Sequence, residues 1–281
     1  MTSITRRDIL AHQTVVPWSA QHQVEQDLLL CRAMVALFSD SFLAGQIAMR
    51  GGTLLHKVHL APASRYSEDI DLVAVGDRPP GHIRRAVRRV LEDVLGDPKV
   101  SAWADLVLAL RNTVKPSRIL RMVYSLPSII EPGRTLDVVV EVNVTERTPH
   151  RPVVEMPFGF PFRDEPVGTL VKGYDIREML GTKMRAMFQR RRGRDLFDLY
   201  WALTKSARPV DPSGVVESFQ HYMRREGTKA ARGEFIGILE AHLRDPGFCS
   251  DVEPLLRSGI VYDPQVAGRY VEGSLLSLLP E

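Results

Sequence analysis

Asp69-Ile70-Asp71-Leu72-Val73-Ala74-Val75 is the stretch from which the rest of the chain can be read. Residues two apart on a strand project from one face. Asp69 and Asp71 therefore share a side with Val73 and Val75, while Ile70 and Leu72 occupy the other. Apolar residues on both faces predict a strand covered on both sides. Two carboxylates in such a place need a cation. A face of this kind suits one or two Mg²⁺ ions that also grip the phosphates of a nucleoside triphosphate.

Upstream stands Gly51-Gly52-Thr53, followed by Leu54-Leu55-His56-Lys57-Val58, which opens a helix. Two glycines let the backbone approach a phosphate closely, and a hydroxyl at a helix start adds a donor. Arg65 and Ser67 lead directly into the strand, and Ser67 shares the face of Asp69. Downstream, Val138-Val139-Val140-Glu141-Val142-Asn143-Val144 predicts a strand interrupted by one acid. A carboxylate there is costly unless paired or metal-bound, so Glu141 is the candidate third ligand. Asp137 has the same parity and competes for that role, but four residues of strand separate the two by about 13 Å.

Further on, Leu180, Met184, Met187 and Phe188 mark the core side of a helix from which Lys183 reaches inward, a point charge suited to a triphosphate. Gly193 predicts a break between helices. Asp195 follows in the cap or first turn of the next helix, and Asp198 lies one turn later. Arg190, Arg191, Arg192 and Arg194 form a basic run, which reads as a solvated face or as an RNA-facing edge that would make these four the RNA-binding residues.

The periodicity predicts a helix over 21–43, a short apolar segment at 47–49, a basic helix over 82–96, and strands over 119–125 and 134–145 with Pro132-Gly133 as their turn. Pro149 to Pro166 reads as a linker or irregular crossover. The expected division is an α/β domain over 1–165 and a helical domain over 166–281, which lends Lys183, Asp195 and Asp198 to the site. The fold class expected is α/β (α+β), a mixed sheet with helices followed by an all-α part.

Of the 281 residues, 44% are hydrophobic and 25% charged, ordinary for a globular protein. No apolar run is long enough to span a bilayer, and Arg6, Arg7 and Asp8 have no apolar stretch after them, so no membrane partner and a cytoplasmic location are expected. Cys31 and Cys249, far apart, exclude a disulfide framework. The net charge of +3 is weak evidence for a polyanion.

Taken together, Glu25 and Asp27 in the first long helix, Gly51-Gly52-Thr53-Leu54-Leu55, Arg65-Tyr66-Ser67-Glu68-Asp69-Ile70-Asp71-Leu72, Glu141-Val142-Asn143, Glu178-Met179-Leu180-Gly181-Thr182-Lys183 and Arg194-Asp195-Leu196-Phe197-Asp198-Leu199 resemble the AbiEii family of nucleotidyltransferase toxins, which includes the mycobacterial MenT proteins. The resemblance covers about residues 20–203. It implies a polymerase-β-like domain with a helical C-terminal domain, the toxin half of a toxin–antitoxin pair with a cognate antitoxin as partner, and transfer of nucleotides to the 3′ acceptor end of tRNA. The roles it implies are phosphate binding for Thr53, metal binding (Mg²⁺ or Mn²⁺) for Asp69 and Asp71, triphosphate contact for Lys183 and further active-site acids at Asp195 and Asp198, while Glu141 stands where the family pattern would have a third Asp. Joined with the reading of the residues themselves, the candidates are catalytic Asp69, Asp71, Lys183, Asp195 and Asp198, NTP-binding Gly51, Gly52, Thr53, Arg65, Ser67 and Lys183, and metal-binding Asp69, Asp71 and Glu141. Two other readings compete: a nucleotidyltransferase with a protein or antibiotic acceptor, and a non-catalytic protein that binds NTP or RNA.

Overall fold

The computed structural model describes residues 4–16, 18–107 and 116–281. Seven strands form one mixed sheet: β1 (Ile47–Arg50), β2 (Asp69–Ala74), β3 (Val100–Val107), β4 (Pro116–Pro127), β5 (Thr135–Asn143), β6 (Val154–Phe162) and β7 (Glu165–Gly173). Their spatial order is β3-β4-β5-β2-β1-β7-β6. β2 runs parallel to β5 and β1 parallel to β7; the other pairs are antiparallel.

Helices α1 (Arg6–Gln13), α2 (Gln21–Ser39), α3 (Ser41–Gln46), α4 (Gly51–Leu54) and α5 (Pro80–Leu95) belong to the sheet part. The helical part holds α6 (Ile176–Gln189), α7 (Gly193–Lys205), α8 (Pro212–Arg225), α9 (Arg232–Leu243), α10 (Pro246–Ser250) and α11 (Pro264–Ser274). α2 lies against β5, β2, β7 and β6 and also against α5, so it is buried nearly all round. That setting explains its composition. Val24, Leu28, Cys31, Val35 and Phe38 are core as expected, but so are residues on its other faces, including Glu25, Asp27 and Arg32.

Two expectations are corrected here. The helix expected over 21–43, α2, stops at Ser39, because Asp40 leaves helical geometry and its carboxylate caps α3 by accepting from Leu43 N–H at 2.9 Å. The proline-rich stretch is not a linker. It forms the β6–β7 hairpin, closed by a two-residue turn in which Arg163 and Asp164 have φ of 54° and 66°. β6 is an edge strand, and Pro157 and Pro161 lie on it four residues apart. A strand edge tolerates missing N–H groups, and prolines there discourage further pairing. The sheet thus continues through Gly173 before the helices begin. None of the described helices is long and apolar enough to cross a membrane.

Candidate active site

β1 ends at Arg50 and the chain turns at once into α4. Gly51 has φ +81°, and a Cβ there would lie 1.9 Å from Asp71 Oδ2. A Cβ on Gly52 would lie 2.7 Å from Arg65 Nη2 and 3.0 Å from Ser67 Oγ. Both glycines are therefore needed because two charged side chains press against the turn. No side chain caps the start of α4, which leaves its first N–H groups open to an anion. The helix continues as a π-helical turn, Leu55–His59.

Thr53 is fully buried. Its hydroxyl donates to the Asp69 carbonyl at 2.5 Å and accepts from the Ser67 hydroxyl at 2.8 Å. Thr53 and Ser67 thus lock the turn to the start of β2.

Asp69 and Asp71 open onto solvent: the first is exposed and the second half-buried. The doubly covered strand expected from its apolar pattern holds only from Leu72 to Ala74. Register sets Asp71 directly opposite Glu141 and Asp69 opposite Val139. Asp137 lies one step beyond this group and accepts from Ser125 Oγ at 2.6 Å. Partial burial, then the charges of Asp71, Glu141 and Glu68, push the Asp69 carboxyl up to about 7. Burial and Asp71 also raise Glu141, although Arg121 pairs with it. Among the described residues no cation pairs with Asp69 or Asp71. Carboxylates that crowd one face without internal neutralisation fit a divalent cation.

On the other side of the Gly51-Gly52 turn the acids are buried. Asp198 accepts two hydrogen bonds from Arg65, Nε and Nη2 each at 2.7 Å, one from His56 Nε2 at 2.7 Å, and lies 2.9 Å from Lys183 Nζ. Asp195 accepts from Lys183 at 3.1 Å and from Arg190 Nε at 2.9 Å. Burial alone would raise both carboxyls, yet Arg65, Lys183 and His56 hold Asp198 well below the usual carboxylate range, and Lys183 and Arg190 lower Asp195. Since the carboxylate can only accept, His56 carries its proton on Nε2, and Nδ1 accepts from Ser64 Oγ at 3.0 Å. Burial, then Arg65, lowers His56 to about 4, so it is neutral.

The structure therefore brings Gly51, Gly52, Thr53, Arg65, Ser67, Asp69, Asp71 and Glu141 together, with Lys183, Asp195 and Asp198 adjoining through Arg65. Arg190 belongs to this network, since its charge pairs with Asp195 and also senses Asp71. The rest of the basic run is partly exposed and paired with acids of the helical part. Arg191 lies 2.7 Å from Asp245, and Arg192 and Arg194 both face Asp251. His56, Arg50 and Arg121 went unread in the sequence. Arg50 carried the one available signal, its place directly before the glycines; in the structure it is half-buried and bound to Glu146 at 2.6 Å.

A second group of metal-ligating type lies apart from this site: His12, Asp27 and Cys31, all buried. There Asp27 accepts from His12 Nε2 at 2.7 Å, Trp18 Nε1 at 3.0 Å and the Lys57 ammonium. Lys57 also lies 3.5 Å from Cys31 Sγ. The cation this cluster needs is supplied by the chain itself, and burial pushes the Cys31 thiol up to about 12, in keeping with a core residue.

No curated protein matches the sequence. Among solved structures, the chain is similar to MenT4, nucleotidyltransferase toxin Rv2826c from Mycobacterium tuberculosis H37Rv, at 18% identity with a TM-score of 0.58, covering 99% of this chain and 100% of that one. At that identity the likeness speaks for the fold. A family model described as nucleotidyl transferase AbiEii toxin, type IV TA system, matches residues 32–263, a span that contains the glycine turn, both aspartate pairs, Glu141 and Lys183. The chain belongs to the AbiEii family of nucleotidyl transferase toxins of type IV toxin–antitoxin systems.

Proposed function

We propose that this protein transfers a nucleotide from an NTP to RNA, at the 3′ acceptor end of tRNA, and so blocks translation. One observation carries the reading: the Asp71 carboxylate packs directly against Gly51, so a triphosphate bound at the turn lies beside the carboxylate face. Asp69, Asp71 and Glu141 would hold Mg²⁺ or Mn²⁺, which supplies charge neutralisation at the reacting phosphate. The open N–H groups of the turn bind phosphate oxygens, and Thr53 and Ser67 fix the turn against β2. Lys183 offers its ammonium to the triphosphate. Asp195 and Asp198 orient Lys183 and Arg65 as active-site acids, and His56 steadies Asp198.

The acceptor edge is assigned to the run Arg190, Arg191, Arg192 and Arg194. The pairs of Arg191 with Asp245 and Arg192 with Asp251 are partly exposed, and such pairs exchange readily for RNA phosphates. The type IV family implies an antitoxin partner.

The test is purified protein with Mg²⁺, each NTP in turn and total tRNA, with the RNA sequenced at its 3′ end. Added nucleotides that vanish with Asp71→Ala support the proposal. Label on protein or on a small molecule instead of RNA moves the acceptor.

A further inference from the structure

Four residues from four strands stand in one row across the sheet. Arg50 faces Asp71, Asp71 faces Glu141, and Glu141 faces Arg121. Directly opposed residues on neighbouring strands project to one side, so the row reads cation, anion, anion, cation.

The two cations differ. Arg50 is half-buried, and its charge is already taken by Glu146 at 2.6 Å. Arg121 has Glu141 as its ion-pair partner, touches it through a single nitrogen, Nη1, and has a side chain 47% exposed. The residue beyond it, on β3, is Ala102. A long side chain with a small neighbour and an open flank can turn to solvent at little cost.

Glu141 thus has two claimants. A divalent ion held by Asp69 and Asp71 draws on the same carboxylate that Arg121 holds. The charge of Arg121 reaches Asp69 as well, so it bears on the whole face. On the reading of this face as the metal site, we propose that Arg121 is the displaceable counter-cation of the metal centre, holding Glu141 in the metal-free protein and giving it up when a divalent ion binds. Arg121 then sets how tightly metal is held. It also lies on the side of the carboxylates away from the Gly51-Gly52 turn, so its release leaves the triphosphate cradle undisturbed.

The experiment is Mn²⁺ binding to the full chain without nucleotide, followed by the electron paramagnetic resonance signal of free Mn²⁺. Arg121→Met removes the competing charge and keeps the aliphatic stem; it should bind Mn²⁺ at least about tenfold more tightly. Arg121→Lys keeps the charge and should stay near wild type. Glu141→Gln should weaken binding, and most of the gain from Arg121→Met should disappear in the double variant. Thermal melting checks the fold, and Arg121→Gln repeats the test should the methionine variant not fold. Unchanged or weaker Mn²⁺ binding in Arg121→Met, or a gain that survives Glu141→Gln in full, overturns the proposal. Retained Mn²⁺ binding in Asp71→Asn is a different outcome, since it overturns the metal site itself.

Discussion

The Gly51-Gly52 turn separates two sets of acids treated in opposite ways. Asp195 and Asp198 are completely buried, and every oxygen has a cationic or imidazole donor within 3.1 Å. Asp69, Asp71 and Glu141 are partly open and have one cation, Arg121, among them in the described residues. The closed set is neutralised by the chain itself. The open set is left in deficit, which makes it a place for something the chain does not contain. The difference teaches that charge pairing, more than residue type, divides acids the chain neutralises from acids it leaves open to a ligand: the same aspartate side chain is held far down in one set and pushed up to about 7 in the other.

The comparison breaks first at Asp198. Asp198→Ala leaves Arg65 and Lys183 buried and short of a partner, and should cost about 3–5 kcal/mol in chemical denaturation. Asp71→Asn should leave metal-free stability unchanged or raised while abolishing transfer. Equal stability losses in the two variants would erase the distinction.

Lys183→Ala comes next. It removes one of three cations from the closed set, so it should abolish transfer and also lower stability by about 2 kcal/mol. Lys183→Arg should recover stability more fully than activity, because a planar fork replaces a point charge. Gly51→Ala tests the boundary itself. Its φ and the pressing Asp71 carboxylate predict a loss of about 1–3 kcal/mol and of NTP binding.

The smallest effects sharpen the comparison through pH and salt. The folded Asp69 carboxyl, near 7, lies above its ordinary 3.8. The folded state therefore binds a proton the unfolded chain has lost, and metal-free stability should fall as pH rises from about 4 to about 7. After solvent screening this amounts to about 1 kcal/mol. Asp69→Asn should flatten that slope, and Mg²⁺ should raise the melting temperature more at pH 8 than at pH 5. Asp198 has the opposite sign: its stabilisation is present above about pH 4 and is lost as pH falls further. Reversing Arg191 and Arg192 to Glu should change stability by less than about 0.5 kcal/mol, while the slope of RNA binding against salt drops by about two.

Much of the open set was legible. The i, i+2 aspartates, the glycine pair and the lone acid in a valine run each violate the local apolar pattern, and such violations mark sites. The helices carrying Lys183 and Asp195 followed from periodicity alone. The closed set was only half legible, because its partners are remote: His56 and Arg65 meet Asp198 across 142 and 133 residues. Nothing local announces that a histidine after a glycine turn will face that aspartate. Arg121 escaped for a similar reason, since register between β4 and β5 decides its partner. The β6–β7 hairpin was hidden by its turn. Positive φ at both central positions favours Asn-Gly, but here Arg163 and Asp164 adopt it, with Arg163 tied to Asp8 of α1 at 2.9 Å. Prolines that suggested a linker were edge residues.

The span between Arg65 and Asp198 has a consequence for the making of the protein. A ribosome releases the glycine turn, the carboxylate row and Arg65 long before Asp198 is added, and loops that long close late. Until α7 has emerged, the guanidinium that braces Gly52 has no acid to hold it. The nascent chain therefore carries every element of the carboxylate row while Arg65 is still unpaired with Asp198, and the brace closes only after α7 has been made.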